Sequence, residues 1–152
     1  MASASLFDEL YREVILDHSR NPKNRGRLAA PTRTAEGMNP VCGDEVILDL
    51  TFDRECLSCL AFDGQGCAIS QASASLMTER LTGVSRGEAR EVCLAVRSML
   101  VQGGEPAAIL GDLEALHGVA KFPVRVKCAM LAWTLLEGIL EPEEYSPGGR
   151  SS

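Results

Sequence analysis

The stretch VILDLTFDRECLSCLAF, residues 46–62, decides the fold class of this chain. Two apolar runs, the first of them rich in branched residues, flank the polar triplet Asp53-Arg54-Glu55, which is typical of a turn. Residues 31–63 as a whole have strand character, and after Gly64-Gln65-Gly66 the chain changes to small, helix-forming residues. The stretch therefore predicts two or three consecutive strands in the middle of the chain.

Helical patterns precede and follow these strands. They are predicted at 6–19, from near residue 67, from Ser85 to about Val101, over 106–118 and from Pro123 to about Leu140. Ser85 and Glu88 form a capping box, and Pro123 suits the first turn of a helix. Strands and helices that are segregated along the chain predict an α+β fold, with a small antiparallel sheet packed against several helices. We expect one domain over 1–140 and a disordered tail over 141–152.

Composition and charge exclude several classes of function. The 152 residues carry 15 basic and 21 acidic side chains, a net charge of −6, which disfavours a nucleic-acid partner. The start MASASLFDEL lacks the basic and apolar regions of a secretory signal, and the longest apolar stretch, 130–140, is too short to span a membrane. We therefore expect a cytoplasmic protein. In a reducing compartment, its six cysteines favour metal or thiolate chemistry over disulfides.

Cys42 and Asp44 are the first pair of candidate metal ligands. They lie in NPVCGDE, residues 39–45, between a proline turn and the first clear strand. If the chain is extended there, the two side chains project to the same side, and Gly43 between them leaves room for an ion. A thiolate and a carboxylate so placed make half of a tetrahedral zinc site. An aspartate turn beside a buried thiol explains the fragment equally well.

Two further cysteines occupy positions that suit a functional thiolate. Cys67, in DGQGCAIS, lies where a helix follows a strand, and unpaired N–H groups at a helix start stabilise a thiolate. Cys128, in FPVRVKCAMLAW, shares an inward helix side with Val124, Leu131, Leu135 and Ile139, a position more typical of a core cysteine. The nearby cations Arg125 and Lys127 favour a thiolate there.

The other cysteines and both histidines are expected to be structural. Cys56 and Cys59 form a CxxC within strand sequence, where residues three apart point to opposite faces of the sheet, and no second pair completes a zinc ribbon. Cys93 lies on an apolar side of its predicted helix, which indicates a core residue. His18 and His117 are single histidines, although His18 adjoins a basic turn that a partner could use.

Four separated segments, taken together and in this order, resemble the IscU/NifU N-terminal family of iron–sulfur cluster assembly proteins. The segments are DHSRNPKNRG, NPVCGDE, FDGQGCAISQASAS and VKCAMLAW, and the resemblance extends from about residue 6 to 140. It implies a three-stranded antiparallel sheet covered by helices. It also implies that four ligands form one metal site, namely Cys42, Asp44, Cys67 and Cys128.

Within that family the chain is similar to the SufU branch. Lys127 precedes the last cysteine where scaffold-type IscU proteins carry histidine, and KFPVR (121–125) replaces their chaperone-binding LPPVK. This similarity implies a bound zinc and a role as sulfur acceptor for a cysteine desulfurase, not as an independent enzyme. Cys42 is then the catalytic thiol, because it lies on a loop beside a glycine, and a desulfurase histidine could replace it on zinc. The freed Cys42 would take the persulfide sulfur.

Two other functions remain open from the sequence. The same four ligands could hold a [2Fe–2S] cluster that is assembled and passed to apo-proteins or other assembly proteins, with Asp44 as the weak ligand. Alternatively, the metal could only stabilise the fold, as in a structural zinc domain. Arg125 and Lys127 could offset the charge of the site or contact a partner. The basic stretch 20–27 is either a docking surface or a solvated run of charge.

Overall fold

The structure, a computed structural model, describes the backbone of residues 2–141 and the side chains of residues 11–141. The chain begins with helix α1, continues through three strands and ends with helices. The elements are α1 (Ala2–Arg20), β1 (Arg33–Asn39), β2 (Asp44–Asp53), β3 (Cys56–Gln65), α2 (Ala68–Leu81), α3 (Arg86–Val101), a 3₁₀ segment (Ala108–Lys121) and α4 (Pro123–Leu140). The expected tail, 141–152, lies outside the described residues apart from its first position.

The three strands form one antiparallel sheet in the order β1-β2-β3. The turn between β2 and β3 falls at Arg54 and Glu55, and Arg54 adopts a left-handed conformation with φ of 61°. The predicted α+β class and the predicted turn are therefore confirmed.

A bulge in β3 overturns the expectation for the CxxC pair. Thr51 pairs with Cys59 but Phe52 pairs with Leu57, so β3 carries one extra residue at Ser58. The extra residue shifts the alternation of the strand, and Cys56 and Cys59 are both exposed. The prediction that they point to opposite faces is wrong for this reason.

Helices α2, α3 and α4 begin where the sequence predicts them, whereas α1 begins at Ala2, before the predicted start at residue 6. The Cys67 thiol caps α2 by accepting the Ser70 N–H, and the Ser85 hydroxyl caps α3 by accepting the Glu88 N–H. Pro123 is in the first turn of α4. The short helix or two helices predicted over 106–118 are two 3₁₀ pieces within Ala108–Lys121, separated by a kink at Gly111, where φ is 58°.

One hydrophobic core lies between the sheet and the helices, and α4 runs through its centre. Trp133 is fully buried and donates its indole N–H to the Ser73 hydroxyl, which in turn donates to the Ala129 carbonyl. Cys128 faces inward as expected. Val124, which the sequence placed on the same inward side, is 54% exposed, because it lies in the first turn of α4 where the helix leaves the core.

The loop after α1 is fastened to the outer face of the sheet by a buried carboxylate. Asp49 on β2 accepts hydrogen bonds from the guanidinium of Arg27, the Leu28 N–H and the Thr34 hydroxyl. The bond from Arg27 is the largest cause that lowers the pKa of Asp49 from 3.8 to about 2. Hydrogen bonds donated to a buried carboxylate favour its charged form.

Among residues 2–141, no helix combines the length and the apolar character that crossing a membrane requires.

We expect Asp49→Asn to lower the free energy of unfolding at pH 7 by about 1–3 kcal/mol, because it removes charge-assisted hydrogen bonds at a buried position. The depressed pKa adds stability above pH 4, and this contribution, about 2 kcal/mol, is lost as the pH falls toward 2. Urea unfolding between pH 7 and 2 measures both effects. Asp53→Asn, an exposed change on the same strand, is the control, and an equal acid dependence in parent and Asp49→Asn would contradict the assignment.

Candidate metal centre

The turn between β1 and β2 carries the first ligand candidates. Asn39, the last residue of β1, pairs with Asp44, the first residue of β2, and its carbonyl accepts the Gly43 N–H at 2.8 Å. Cys42 therefore lies in a tight turn, and the extended conformation considered for the sequence is not the one adopted. The turn nevertheless brings Cys42 next to Asp44, as the sequence predicts.

Three ligand atoms come together at this turn. The Sγ atoms of Cys42 and Cys128 and one carboxylate oxygen of Asp44 all lie within 4.8 Å of one another. The Cys128 thiol donates to Cys42 Sγ at 3.1 Å. Asp44 and Cys128 are buried, whereas Cys42 is partly exposed. This is the only group of three such side chains among the described residues.

The carboxylate of Asp44 has one occupied and one unpaired oxygen. Oδ1 accepts the backbone N–H of Cys67 at 2.9 Å. Oδ2 is buried and has no hydrogen-bond partner among the described residues. Gly66 permits this approach, because a Cβ there would collide with Oδ1 of Asp44 and with the Ser70 hydroxyl. A buried carboxylate that is grouped with two thiols and has one unpaired oxygen suits a bound cation.

Cys67 forms the wall of the site next to α2. Its Sγ accepts the Ser70 N–H at 3.5 Å, as an N-cap, and it is not one of the three atoms grouped within 4.8 Å. Its thiol nevertheless contacts Cys128 closely enough to affect that residue's pKa. Cys67 thus remains a proposed fourth ligand, held at the helix start by its own cap.

Several side chains that are negative when ionised lie close together in this cluster. Burial, followed by contacts with Cys42, Asp44 and Cys67, raises the pKa of the Cys128 thiol well above its usual range. The negative charge of Cys67, then the bond and charge of Cys128, raise the pKa of Arg125. A dication would relieve the first effect, because it favours the thiolate form of its ligands.

The remaining cysteines and histidines are separate from this cluster. Cys93 is buried, and burial raises the pKa of its thiol to about 12, as expected of a core cysteine. His18 is buried between the Ser75 hydroxyl, 2.7 Å from Nδ1, and the Glu79 carboxylate, 3.4 Å from Nε2. It fastens α1 to α2 and is structural, one of the two roles expected for it.

The basic stretch 20–27 is partly used inside the molecule. Arg25 donates to Asp63, to Gln71 and to the Gly64 carbonyl, whereas Arg27 is bound by the buried Asp49. These two cations hold the loop on the sheet, so the docking surface considered for this stretch loses half of its charge.

Asn39 is a site residue that the sequence analysis missed. Its side-chain amide lies 3.9 Å from Cys128 Sγ, and its Oδ1 accepts the Val41 N–H. The available signal was an asparagine immediately before a proline turn, since asparagine side chains often bond the backbone two residues further on.

Known proteins can now be compared with this fold and cluster. Residues 10–129 match the model of the NifU-like N-terminal domain family. The chain belongs to this family. The zinc-dependent sulfurtransferase SufU of Bacillus subtilis is 42% identical over 139 residues, which cover 90% of this chain and 93% of the relative. The iron–sulfur cluster assembly scaffold protein IscU of Streptococcus pyogenes is 43% identical over 136 residues, covering 88% of this chain and 84% of the relative.

A solved structure supports the same relationship. SufU from Fervidobacterium islandicum AW-1 matches this fold with a TM-score of 0.81 and 38% identity, covering 85% of this chain and 95% of that one. The resemblance inferred from the four sequence segments is thereby confirmed, together with the three-stranded sheet covered by helices.

We expect two substitutions of Asp44 to behave differently in chelator-treated, metal-free protein. Asp44→Asn keeps an oxygen for the Cys67 N–H, so the free energy of unfolding should change by less than about 1 kcal/mol. Asp44→Ala leaves that N–H without its acceptor and should lower the free energy of unfolding by about 1–3 kcal/mol. Urea unfolding measures both, with the exposed Glu45→Ala as control. Equal losses for Asn and Ala would contradict the role given to Oδ1.

Proposed function

We propose that this chain is a cytoplasmic iron–sulfur cluster assembly protein that binds zinc and accepts sulfur from a cysteine desulfurase. The proposed zinc ligands are Cys42, Asp44, Cys67 and Cys128, and the proposed sulfur acceptor is Cys42. The observation that carries the proposal is the buried, unpaired Oδ2 of Asp44 in a carboxylate grouped with two thiols. A carboxylate in that position needs a cation.

The donor set suits zinc. Thiolate sulfur with one carboxylate oxygen gives four ligands that Zn²⁺ accepts in tetrahedral geometry. Zinc, when bound, would keep the thiols deprotonated and restrain their nucleophilicity. The name of the Bacillus subtilis relative, a zinc-dependent sulfurtransferase, supports this choice at 42% identity over nearly the whole chain.

Cys42 is the best-placed sulfur acceptor of the three cysteines. It is partly exposed in a four-residue turn, whereas Cys128 is buried within α4 and Cys67 is fixed as the cap of α2. The Cys42 thiolate would attack the terminal sulfur of a persulfide on the desulfurase. The sulfur–sulfur bond of that persulfide breaks, its cysteine leaves as a thiolate, and the transferred sulfur remains as a persulfide on Cys42.

Exposed apolar side chains beside the turn support a protein partner. Met38, Val41, Phe122 and Val124 are each more than half exposed, on the two segments that carry Cys42 and Cys128. A groove of about 610 Å³ lies next to them, lined by Ile15, Ile69, Phe122 and Arg125 among others. Apolar surface of this kind is typical of a contact site. A desulfurase docked there would bring its persulfide to Cys42.

We expect Cys42→Ser to abolish the stimulation of a cysteine desulfurase. The serine hydroxyl is too weak a nucleophile at neutral pH to take the persulfide sulfur. Desulfurase turnover with cysteine as substrate, and ³⁵S transfer from labelled cysteine, measure the effect. Cys56→Ser, an exposed thiol on β3, is the matched control and should retain full stimulation. Stimulation by Cys42→Ser equal to that of the parent would refute the acceptor role.

The metal content separates this function from that of a cluster scaffold. We expect anaerobically purified protein to contain one zinc per chain and no acid-labile sulfide. Iron with an equal amount of sulfide would instead favour the scaffold role that the name of the Streptococcus pyogenes relative carries. If the protein contains zinc but has no effect on desulfurase turnover, the metal has a purely structural role.

A further inference from the structure

The three thiols of the metal centre differ in the N–H groups that they accept. Cys67 Sγ accepts the backbone N–H of Ser70 at 3.5 Å, and Cys128 Sγ faces the side-chain amide of Asn39 at 3.9 Å. Among the described residues, no N–H group donates to Cys42.

The orientation of the Asn39 amide follows from its other contacts. Its Oδ1 accepts the Val41 N–H at 3.2 Å, so the nitrogen of the amide must be the atom that faces Cys128. Asn39 is 8% exposed, and its own carbonyl closes the turn by accepting the Gly43 N–H. One buried side chain thus contacts both the turn that carries Cys42 and the sulfur of Cys128.

A donated N–H changes the chemistry of a metal-bound thiolate. It withdraws electron density from the sulfur, which makes the thiolate a weaker nucleophile. Two of the three thiolates would be weakened in this way, and the third would not. A difference of this kind would determine which thiolate reacts.

We propose that Asn39 is a positioning residue that restrains Cys128 by N–H donation and leaves Cys42 as the reactive thiolate. The inference rests on the proposed function for the bound metal and for the identity of the reaction. The unequal distribution of N–H donors is a property of this chain and can be tested without a desulfurase.

Two variants separate the amide donor from the anchoring of the turn. Asn39→Ser keeps an oxygen that can accept the Val41 N–H but removes the donor to Cys128, whereas Asn39→Ala removes both. Asn21→Ser, at an exposed asparagine after α1, is the matched control. Asn39→Asp, which has the same size and keeps the acceptor, replaces Asn39→Ser if that variant does not fold.

Cobalt(II), loaded one-to-one into the full chain in place of zinc, reports directly on the sulfur ligands. We expect the sulfur-to-cobalt charge-transfer band to shift to longer wavelength by the same amount in Asn39→Ser and Asn39→Ala, and to be unchanged in Asn21→Ser. We also expect zinc affinity, measured against a chromophoric chelator, to fall about tenfold or more in both Asn39 variants. A band in Asn39→Ser that equals the parent's would overturn the proposal, because anchoring of the turn alone would then explain Asn39.

The order of alkylation provides a second measurement. In the zinc-loaded parent under limiting iodoacetamide, peptide mass spectrometry should find Cys42 modified before Cys67 and Cys128. Modification of either of those two first would contradict the unequal reactivity. A band shift together with no stimulation of a desulfurase would uphold the role of Asn39 while refuting the proposed sulfur transfer.

Discussion

The hydrogen bond from the Cys67 N–H to Oδ1 of Asp44 is the contact on which the candidate metal centre depends. It joins the first residue of β2 to the residue that caps α2, two points separated by 22 residues of hairpin. Gly66 permits the contact, since no side chain fits between the strand end and the carboxylate. Because the register sets Asn39 opposite Asp44, the same bond also fixes the position of the turn that carries Cys42.

Helix α4 contributes Cys128 to the centre, and the position of α4 depends on its packing against β1. Gly37 on β1 lies against Leu131 and Leu135, where even a Cβ would be 2.9 Å from a leucine methyl group. This close contact, together with the buried chain of hydrogen bonds from Trp133 through Ser73 to Ala129, holds α4 against both the sheet and α2. The sulfur of Cys128 is therefore placed by the core, whereas that of Cys42 is placed by a surface turn.

Local signals in the sequence predict the elements well, and long-range contacts explain what they miss. Pro123 and the Ser85 cap mark helix starts correctly because each acts within one turn of chain. The bulge at Ser58 was not predicted, although Leu57 and Leu60, apolar and three apart, are the trace it leaves in the sequence. The pairing of Arg27 with Asp49 across 22 residues has no local signal, so a structural cation was considered as a docking group. For the centre itself, local chemistry made each ligand plausible, and only the family pattern joined four positions into one site.

The bulge in β3 also has a practical consequence for thiol chemistry in this protein. It leaves Cys56 and Cys59 both exposed on the sheet, while Cys93 is enclosed in the core. The six cysteines are thereby divided into two that any reagent reaches, one that reagents reach only on unfolding, and three at the centre. A thiol titration of the folded chain therefore contains its own calibration. Cys56 and Cys59 give the reaction rate of fully accessible thiols, and Cys93 gives the rate of a thiol that reacts only on unfolding. A change in any rate between these two limits reports on the three cysteines of the centre.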